Sequence, residues 1–246
     1  MDYYQTHDEI DEIGEGLIRK YQYQSFIQGI PTDIEGFITS NLGYQIIYDR
    51  IAEGDAGKMA FLADGKGALR IWRSGQRVSV VPPKGLIIVD EYLRQEQNLR
   101  KRRFVLAHEA GHIHMDRLGS NPVTSAFSRE FDTEKQYTMK ELADMFSIAE
   151  SMATAMGVAL LMPRTSVVRY VRSRGYEKRI PLYGESVLCT CDRNVVRDAA
   201  NQFQVSYKSM FYRLRDLKLF EPRELDEFLL KCGDAGGHHE DRGDDL

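Results

Sequence analysis

Apolar residues recur with helical spacing at the start of the chain, at Ile10, Ile13, Leu17, Ile18 and Tyr21. The pattern predicts an amphipathic helix over 8–28, ended by Gly29 and Pro31. A second, short helix is expected over 32–42, with Gly43 as its stop. The period then changes. Short β-branched or aromatic runs at 44–48, 58–62, 68–72, 78–81 and 86–89 alternate with Gly54, Gly57, Gly65, Gly67, Gly75 and the pair Pro82 and Pro83. That punctuation marks one small sheet with tight turns. Helical spacing returns over 91–98 and 101–118, gives way to a polar, irregular stretch at 120–137, and resumes in a long Ala- and Met-rich helix over 139–162 that Pro163 stops. Further helices are expected over 165–173, 192–203, 206–219 and 222–231. Helices, a small sheet and then more helices make an α+β chain.

Composition narrows the class. At 246 residues, 42% hydrophobic and 28% charged, the chain is long enough to bury a core without covalent staples, and it is neither disordered throughout nor collagen-like. A net charge of −4 argues against a uniformly basic nucleic-acid coat. The three cysteines, Cys189, Cys191 and Cys232, are too few and odd in number for a disulfide framework, which fits a reducing compartment. The N-terminus has no basic and apolar leader pattern. The longest apolar stretch, 153–162, is interrupted by Thr154 and Gly157 and is far shorter than the ~20 residues of a membrane span. The expectation is a cytoplasmic protein with no membrane partner. The tail 233–246 holds five acids and almost no apolar residue and reads as disordered.

One short string carries chemistry. His108-Glu109-Ala110-Gly111-His112 is an H-E-x-x-H pattern. Residues four apart lie on one helix face, so both imidazoles can reach one metal ion, and neutral imidazole suits zinc. The intervening Glu109 stands where it can take a proton from water beside the metal. A catalytic zinc needs a third protein ligand and an open position. The metzincin solution fails, because Met115 and Leu118 occupy the required Gly and His positions. A downstream carboxylate remains. Asp116, Glu130, Asp132, Glu134, Glu141, Asp144 and Glu150 are candidates, and Glu150 stands out because it sits among Ile148, Ala149, Met152 and Ala153, where a carboxylate is costly unless paired or on a metal. Ala149, Ala153 and Gly157 would let its helix pack close to the motif helix. His114 falls about 200° round the helix from His112 and reads as a surface or supporting residue.

The segment 103–112, Arg-Phe-Val-Leu-Ala-His-Glu-Ala-Gly-His, resembles the ImmA/IrrE family of metallopeptidases. So does Glu150 followed by Ala153 and Thr154 and then by Leu160, Leu161, Met162 and Pro163. A weaker third element is Phe203, Val205 and Ser206 with Arg213, Leu214 and Leu217. The resemblance runs from about 31 to 220. It implies a compact zincin-like, gluzincin-like core with zinc as cofactor, His108, His112 and Glu150 as ligands, and Glu109 as general base. The family often has Asn where this chain has Thr154, whose hydroxyl is able to hydrogen-bond a ligand. Family members act on, or regulate, helix-turn-helix repressors of mobile elements and stress responses. The implied activity is therefore a zinc metalloendopeptidase that cleaves such a regulatory protein, and an exposed sheet edge would bind the extended substrate. The alternative is a zinc-stabilised, non-hydrolytic regulator that binds a repressor or DNA.

The domain expectation follows: an N-terminal helix at 1–30, the core at 31–175, a helical annex at 176–232 and the tail at 233–246. Within the annex, 193–218 carries six basic and two acidic residues across a helix, a Gln-Val-Ser turn and a helix. Two packed helices with solvated charges explain this best. A helix-turn-helix role, with weak nucleic-acid contact, needs Ser209 and Arg213 exposed on one face. Cys189 and Cys191 lack the further partners of a metal site, and Gly65, Lys66 and Gly67 read as a turn.

Overall fold

The computed structural model describes residues 6–53, 58–117, 126–129, 138, 148–177 and 179–233. Helix α1 (His7–Tyr21) opens with a capping box, in which Thr6 Oγ1 accepts from the Glu9 N–H and the Glu9 carboxylate accepts from the Thr6 N–H at 2.7 Å. The single helix expected over 8–28 breaks at Gln22, whose backbone leaves the helical region (φ −135°, ψ 58°) while its side-chain oxygen accepts from the Asp33 N–H. Helix α2 (Tyr23–Gln28) follows and ends at Gly29, with φ 68°. A single turn, α3 (Ile34–Gly36), runs into a π-helical turn (Phe37–Leu42) that stops at Gly43, where φ is 77°.

Strands β1 (Gln45–Asp49), β2 (Lys58–Leu62), β3 (Leu69–Arg73), β4 (Gln76–Val80) and β5 (Leu86–Asp90) lie where the runs predicted, but they do not make one sheet. With β6 (Ala126–Arg129), which lies inside the stretch read as irregular, the main sheet has the order β1-β5-β2-β6. Its β1–β5 pair is parallel and its other pairs are antiparallel. A parallel pair needs a crossover connection, and the β3–β4 hairpin lies inside that crossover. Its Ser74-Gly75 turn has positive φ at both residues, 48° and 79°, as a type I′ turn requires.

The main sheet is covered on both faces. Along β2 and β5, Ala60, Leu62, Ile87 and Val89 enter the main core, whereas Phe61, Ala63 and Ile88 meet Leu69 and Ile71 of the hairpin in a second, smaller core. A strand buried on both sides reads as an unbroken apolar run, as 86–89 does. The layers are thus helices, the four-stranded sheet and the two-stranded ribbon.

Beyond β5, the expected helix at 91–98 is two 3-10 turns, Glu91–Arg94 and Glu96–Asn98, separated at Gln95 by an extended backbone (ψ 142°). Helix α4 (Leu99–Arg117) carries the H-E-x-x-H string. It is the helix expected over 101–118, and it is enclosed at its middle. Every residue from Val105 to Gly111 is buried, so α4 is a central helix. Helices α5 (Ile148–Leu161) and α6 (Arg164–Ser173) flank Pro163. The start of the long helix predicted over 139–162, most of 120–137 and the tail beyond 233 lie outside the described residues. Helices α7 (Thr190–Gln202), α8 (Tyr207–Asp216) and α9 (Leu225–Gly233) complete the helical set. Two strands escape the periodicity, β7 (Ile180–Tyr183) and β8 (Phe220–Arg223), which pair in parallel. Each is four residues long and contains a proline, Pro181 or Pro222, which demotes a strand in any sequence reading.

Helix α1 crosses α5 at Gly14, where a Cβ would stand 2.6 Å from that of Ala159. Arg213 of α8 is buried. It donates to both carboxylate oxygens of Asp11 at 2.6 and 3.0 Å, and its Nε donates to the Met162 carbonyl. Helices α1 and α8 are thereby fastened to the α5–α6 corner. No single helix among the described residues is long and apolar enough to cross a membrane.

Candidate metal centre

The site depends on how closely α4 and α5 cross. A Cβ on Gly111 would meet the Ala153 carbonyl oxygen at 2.3 Å, and one on Gly157 would meet the Ala107 carbonyl carbon at 2.9 Å and the His108 nitrogen at 3.0 Å. The helices therefore touch backbone to backbone, as the small residues of 149–157 suggested. Only at that distance does the first turn of α5 bring a carboxylate to the middle of α4.

There, three predicted residues converge. His108 Nε2 and His112 Nε2 lie 3.0 Å apart, Glu150 Oε2 is 3.2 Å from the first, and Glu150 Oε1 is 3.3 Å from the second. The donor atoms all lie within 4.8 Å of one another, and this is the one such group of three among the described residues. Two imidazole nitrogens 3.0 Å apart cannot both present lone pairs without repulsion, so the arrangement calls for a proton or a cation between them. The donor set of two imidazoles and one carboxylate fits a divalent metal with an open fourth position.

The other nitrogen of His108 is occupied too. Its Nδ1 lies 3.1 Å from Thr154 Oγ1, one turn beyond Glu150 on α5. With Nδ1–H donating to the hydroxyl, Nε2 is left as the bare, ligating nitrogen. Thr154 thus holds the ring in place.

Electrostatics agree with this arrangement. Burial raises the Glu150 pKa, but hydrogen bonds from His108 and His112 and the charge on those rings lower it further, to about 2. Burial and the neighbouring His112 lower His108, against the pull of Glu150. On His112 burial is outweighed by Glu150 and Glu109, so its pKa rises. Glu109 is fully buried, and neither carboxylate oxygen has a hydrogen-bond partner among the described residues. Burial pushes its pKa up to about 8, with His112 opposing and Glu150 assisting. A solitary carboxylate in that position is expensive unless a cation sits nearby.

The remaining candidates stand apart. His114 and Asp116 are outside the cluster, and Glu130, Asp132, Glu134, Glu141 and Asp144 lie outside the described residues. Cys189 is buried and Cys191 exposed at the start of α7, with no metal-ligand group around them among the described residues. Lys66 and Gly67 donate to Asp64 Oδ1 in a turn, as read. On the α7–α8 pair, Arg213 is turned inward to Asp11 and Ser209 is half-buried, so the face required for a helix-turn-helix reader is not offered by those two residues. The sequence reading undervalued Gly111, whose place inside the motif shows its steric role only once α5 is laid against it.

No curated protein matches the chain. Among solved structures, the chain is similar to a Mycobacterium tuberculosis transcriptional regulator, at 13% identity and a TM-score of 0.45, over 85% of this chain and 47% of that one. The chain therefore spans about half the length of that regulator. The sequence profile of the IrrE N-terminal-like domain matches residues 72–215, a span that holds α4, α5 and all four residues of the candidate centre. With more than half of its length matched, the chain belongs to the IrrE N-terminal-like domain family.

Proposed function

We infer that the protein is a zinc metalloendopeptidase with a zincin-like core, which hydrolyses a peptide bond in a regulatory protein, a helix-turn-helix repressor being the partner that the family resemblance suggests. The observation that carries this reading is the pairing of a three-donor group, His108, His112 and Glu150, with a buried carboxyl, Glu109, that has no hydrogen-bond partner among the described residues and lies between the two histidines on their helix. A purely structural metal site has no use for the second feature.

In this reading His108, His112 and Glu150 hold the ion, and Thr154 fixes the His108 tautomer. When bound, zinc would supply a Lewis acid that acidifies water and polarises a peptide carbonyl. Glu109 Oε takes the proton released as the carbonyl is attacked and returns it to the leaving amine. A carboxyl whose affinity for a proton lies near neutral pH is suited to both transfers. The complete burial of Glu109 keeps bulk water from competing for that proton.

The test compares the purified chain with Glu109→Gln and Glu150→Ala. Metal content is measured by mass spectrometry, and a purified helix-turn-helix repressor is incubated with each protein, with and without chelator. The expected result is a chelator-sensitive fragment with the native chain, retained zinc without a fragment in Glu109→Gln, and lost zinc in Glu150→Ala. Fragment formation by Glu109→Gln would remove the general base. A stable, uncleaved complex with the native, zinc-loaded chain would favour the non-hydrolytic regulator instead.

A further inference from the structure

Between Asp64 and Asp90 the chain has five cations, Lys66, Arg70, Arg73, Arg77 and Lys84, and no carboxylate, in a protein whose net charge is −4. The fold concentrates this excess. The hairpin register pairs Leu69 with Val80, Ile71 with Val78, Arg70 with Ser79 and Trp72 with Arg77. Leu69, Ile71 and Val80 face the second core, so the alternation of a strand turns Arg70, Trp72, Arg77 and Ser79 to the opposite, outer side. Arg50 joins them from the segment beside β3, where Trp72 N–H donates to the Arg50 carbonyl. Arg50, Arg70 and Arg77 are exposed, and none of the three makes an ion pair among the described residues. The guanidinium groups of Arg50 and Arg77 lie over the Trp72 ring at 5.5 and 5.2 Å. A ring used this way spreads two cations across the face, with Arg50 also bordering Asp90 at its edge.

We propose that the outer face of the β3–β4 ribbon is a binding surface for double-stranded DNA, contacted through its phosphates by Arg50, Arg70 and Arg77. Three observations select this partner. Among the described residues, the side chains that the ribbon turns outward carry positive charge and no negative charge, which a polyanion matches. A two-stranded antiparallel ribbon has the width that a major groove admits. Trp72 is engaged by guanidinium groups and is not presented as a bare platform for stacking unpaired bases, which disfavours single strands. The surface lies on the far side of the main sheet from α4, so it is independent of the candidate metal centre.

Trp72 is the chain's one tryptophan, so its fluorescence reports on this ribbon and nowhere else. The experiment titrates the full chain with an unlabelled 20-base-pair DNA duplex in 50 mM salt and follows both tryptophan emission and the anisotropy of a labelled duplex. The expected result is a saturable emission change that coincides with binding and weakens with salt at a slope of about −3 in log K against log salt, from roughly 0.9 per phosphate contact. Arg70→Gln with Arg77→Gln should weaken binding about tenfold or more and reduce the slope by about 2. Lys208→Gln with Arg215→Gln, two exposed cations on α8, should change neither. Thermal melts of both variants serve to check that they are folded. The proposal is overturned by any of four results: no duplex binding, binding with unchanged Trp72 emission, loss that follows the α8 variant and not the ribbon variant, or a single-stranded 20-mer or polyglutamate binding as tightly as the duplex.

Discussion

The backbone contact between α4 and α5 can be tested by adding a single methyl group. In Gly157→Ala the new Cβ would lie 2.9 Å from the Ala107 carbonyl carbon, and 3.0 Å from both its oxygen and the His108 nitrogen. Ordinary carbon contacts are ~3.5–4.0 Å, so α5 must move by roughly half an ångström or more. The obstacles are main-chain atoms of a buried helix and cannot rotate away. Overpacking of this kind costs about 3 kcal/mol at the upper end of its usual range, and replacing a helical glycine by alanine returns about 1 kcal/mol. The net loss of about 2 kcal/mol corresponds to a fall in Tm of about 4–8 °C for a chain of this length. A matched control is available in Gly16→Ala on α1, where nothing lies within 4 Å of the added Cβ. That variant should gain about 1 kcal/mol and melt about 2–4 °C higher. The same displacement draws Glu150 away from His108 and His112, which it now meets at 3.2 and 3.3 Å. Zinc affinity, read by competition with a chromophoric chelator, should therefore fall in Gly157→Ala and stay unchanged in Gly16→Ala. If Gly157→Ala melts at or above the native temperature, alongside the control, the helices do not touch as described and the reasoning fails.

Other consequences are as direct. Thr154→Val removes the hydroxyl from His108 Nδ1 while keeping the shape, and should weaken metal affinity about 10–100-fold, with Thr154→Asn restoring most of it; equal affinities in all three would deny the hydroxyl a positioning role. Arg213→Met leaves the Asp11 carboxylate buried with one remaining partner, Arg164 at 3.2 Å, and should destabilise the fold by about 3 kcal/mol in urea melts. Adding Asp11→Asn to that variant should recover part of the loss, because the uncompensated charge is then gone; no recovery would mean that packing and not charge dominates. Ser74→Asn places a residue more tolerant of positive φ in the I′ turn and should raise Tm slightly, whereas Ser74→Val should lower it.

The sequence and the fold agree best where the deciding interactions are local. The bounds of β2 are those of its apolar run, and Gly43 ends its helix because the backbone there has φ 77°, a conformation glycine accepts without strain. The chemical string is local as well: four-residue spacing already puts His108 and His112 on one face, and the structure needs only to bring Glu150 to it. The errors arise where a distant partner decides. The two 3-10 turns at 91–98 carry helical spacing but are split at Gln95. The separation of β3 and β4 from the main sheet follows from β1 choosing β5 as its parallel neighbour, and no window of residues between them reveals that choice. The pair β7 and β8 is made by chain segments far apart in sequence, each with a proline in the ladder.

Burial at its middle sets α4 apart from a surface helix. A helix packed only on one flank displays a polar stripe. The helix touches the sheet, α5 and the residues before β1, so Arg103, His108 and Glu109 are buried and each must be accounted for chemically. Arg103 donates to the Thr32 carbonyl, His108 is held by Thr154, and Glu109 alone has no hydrogen bond at either oxygen among the described residues. An apolar residue of similar size at 109 would pack the same space without burying an unpaired ionisable group. The carboxylate there therefore weakens the fold as described, and a cation held by the neighbouring His108, His112 and Glu150 is what would offset that cost. The stability of α4 and the chemistry proposed for it thus depend on one quantity, the charge placed between those three side chains. Glu109→Leu should accordingly raise the melting temperature of the metal-free protein while abolishing the proposed hydrolysis, and a metal-free variant that melts lower than the native chain would separate the two.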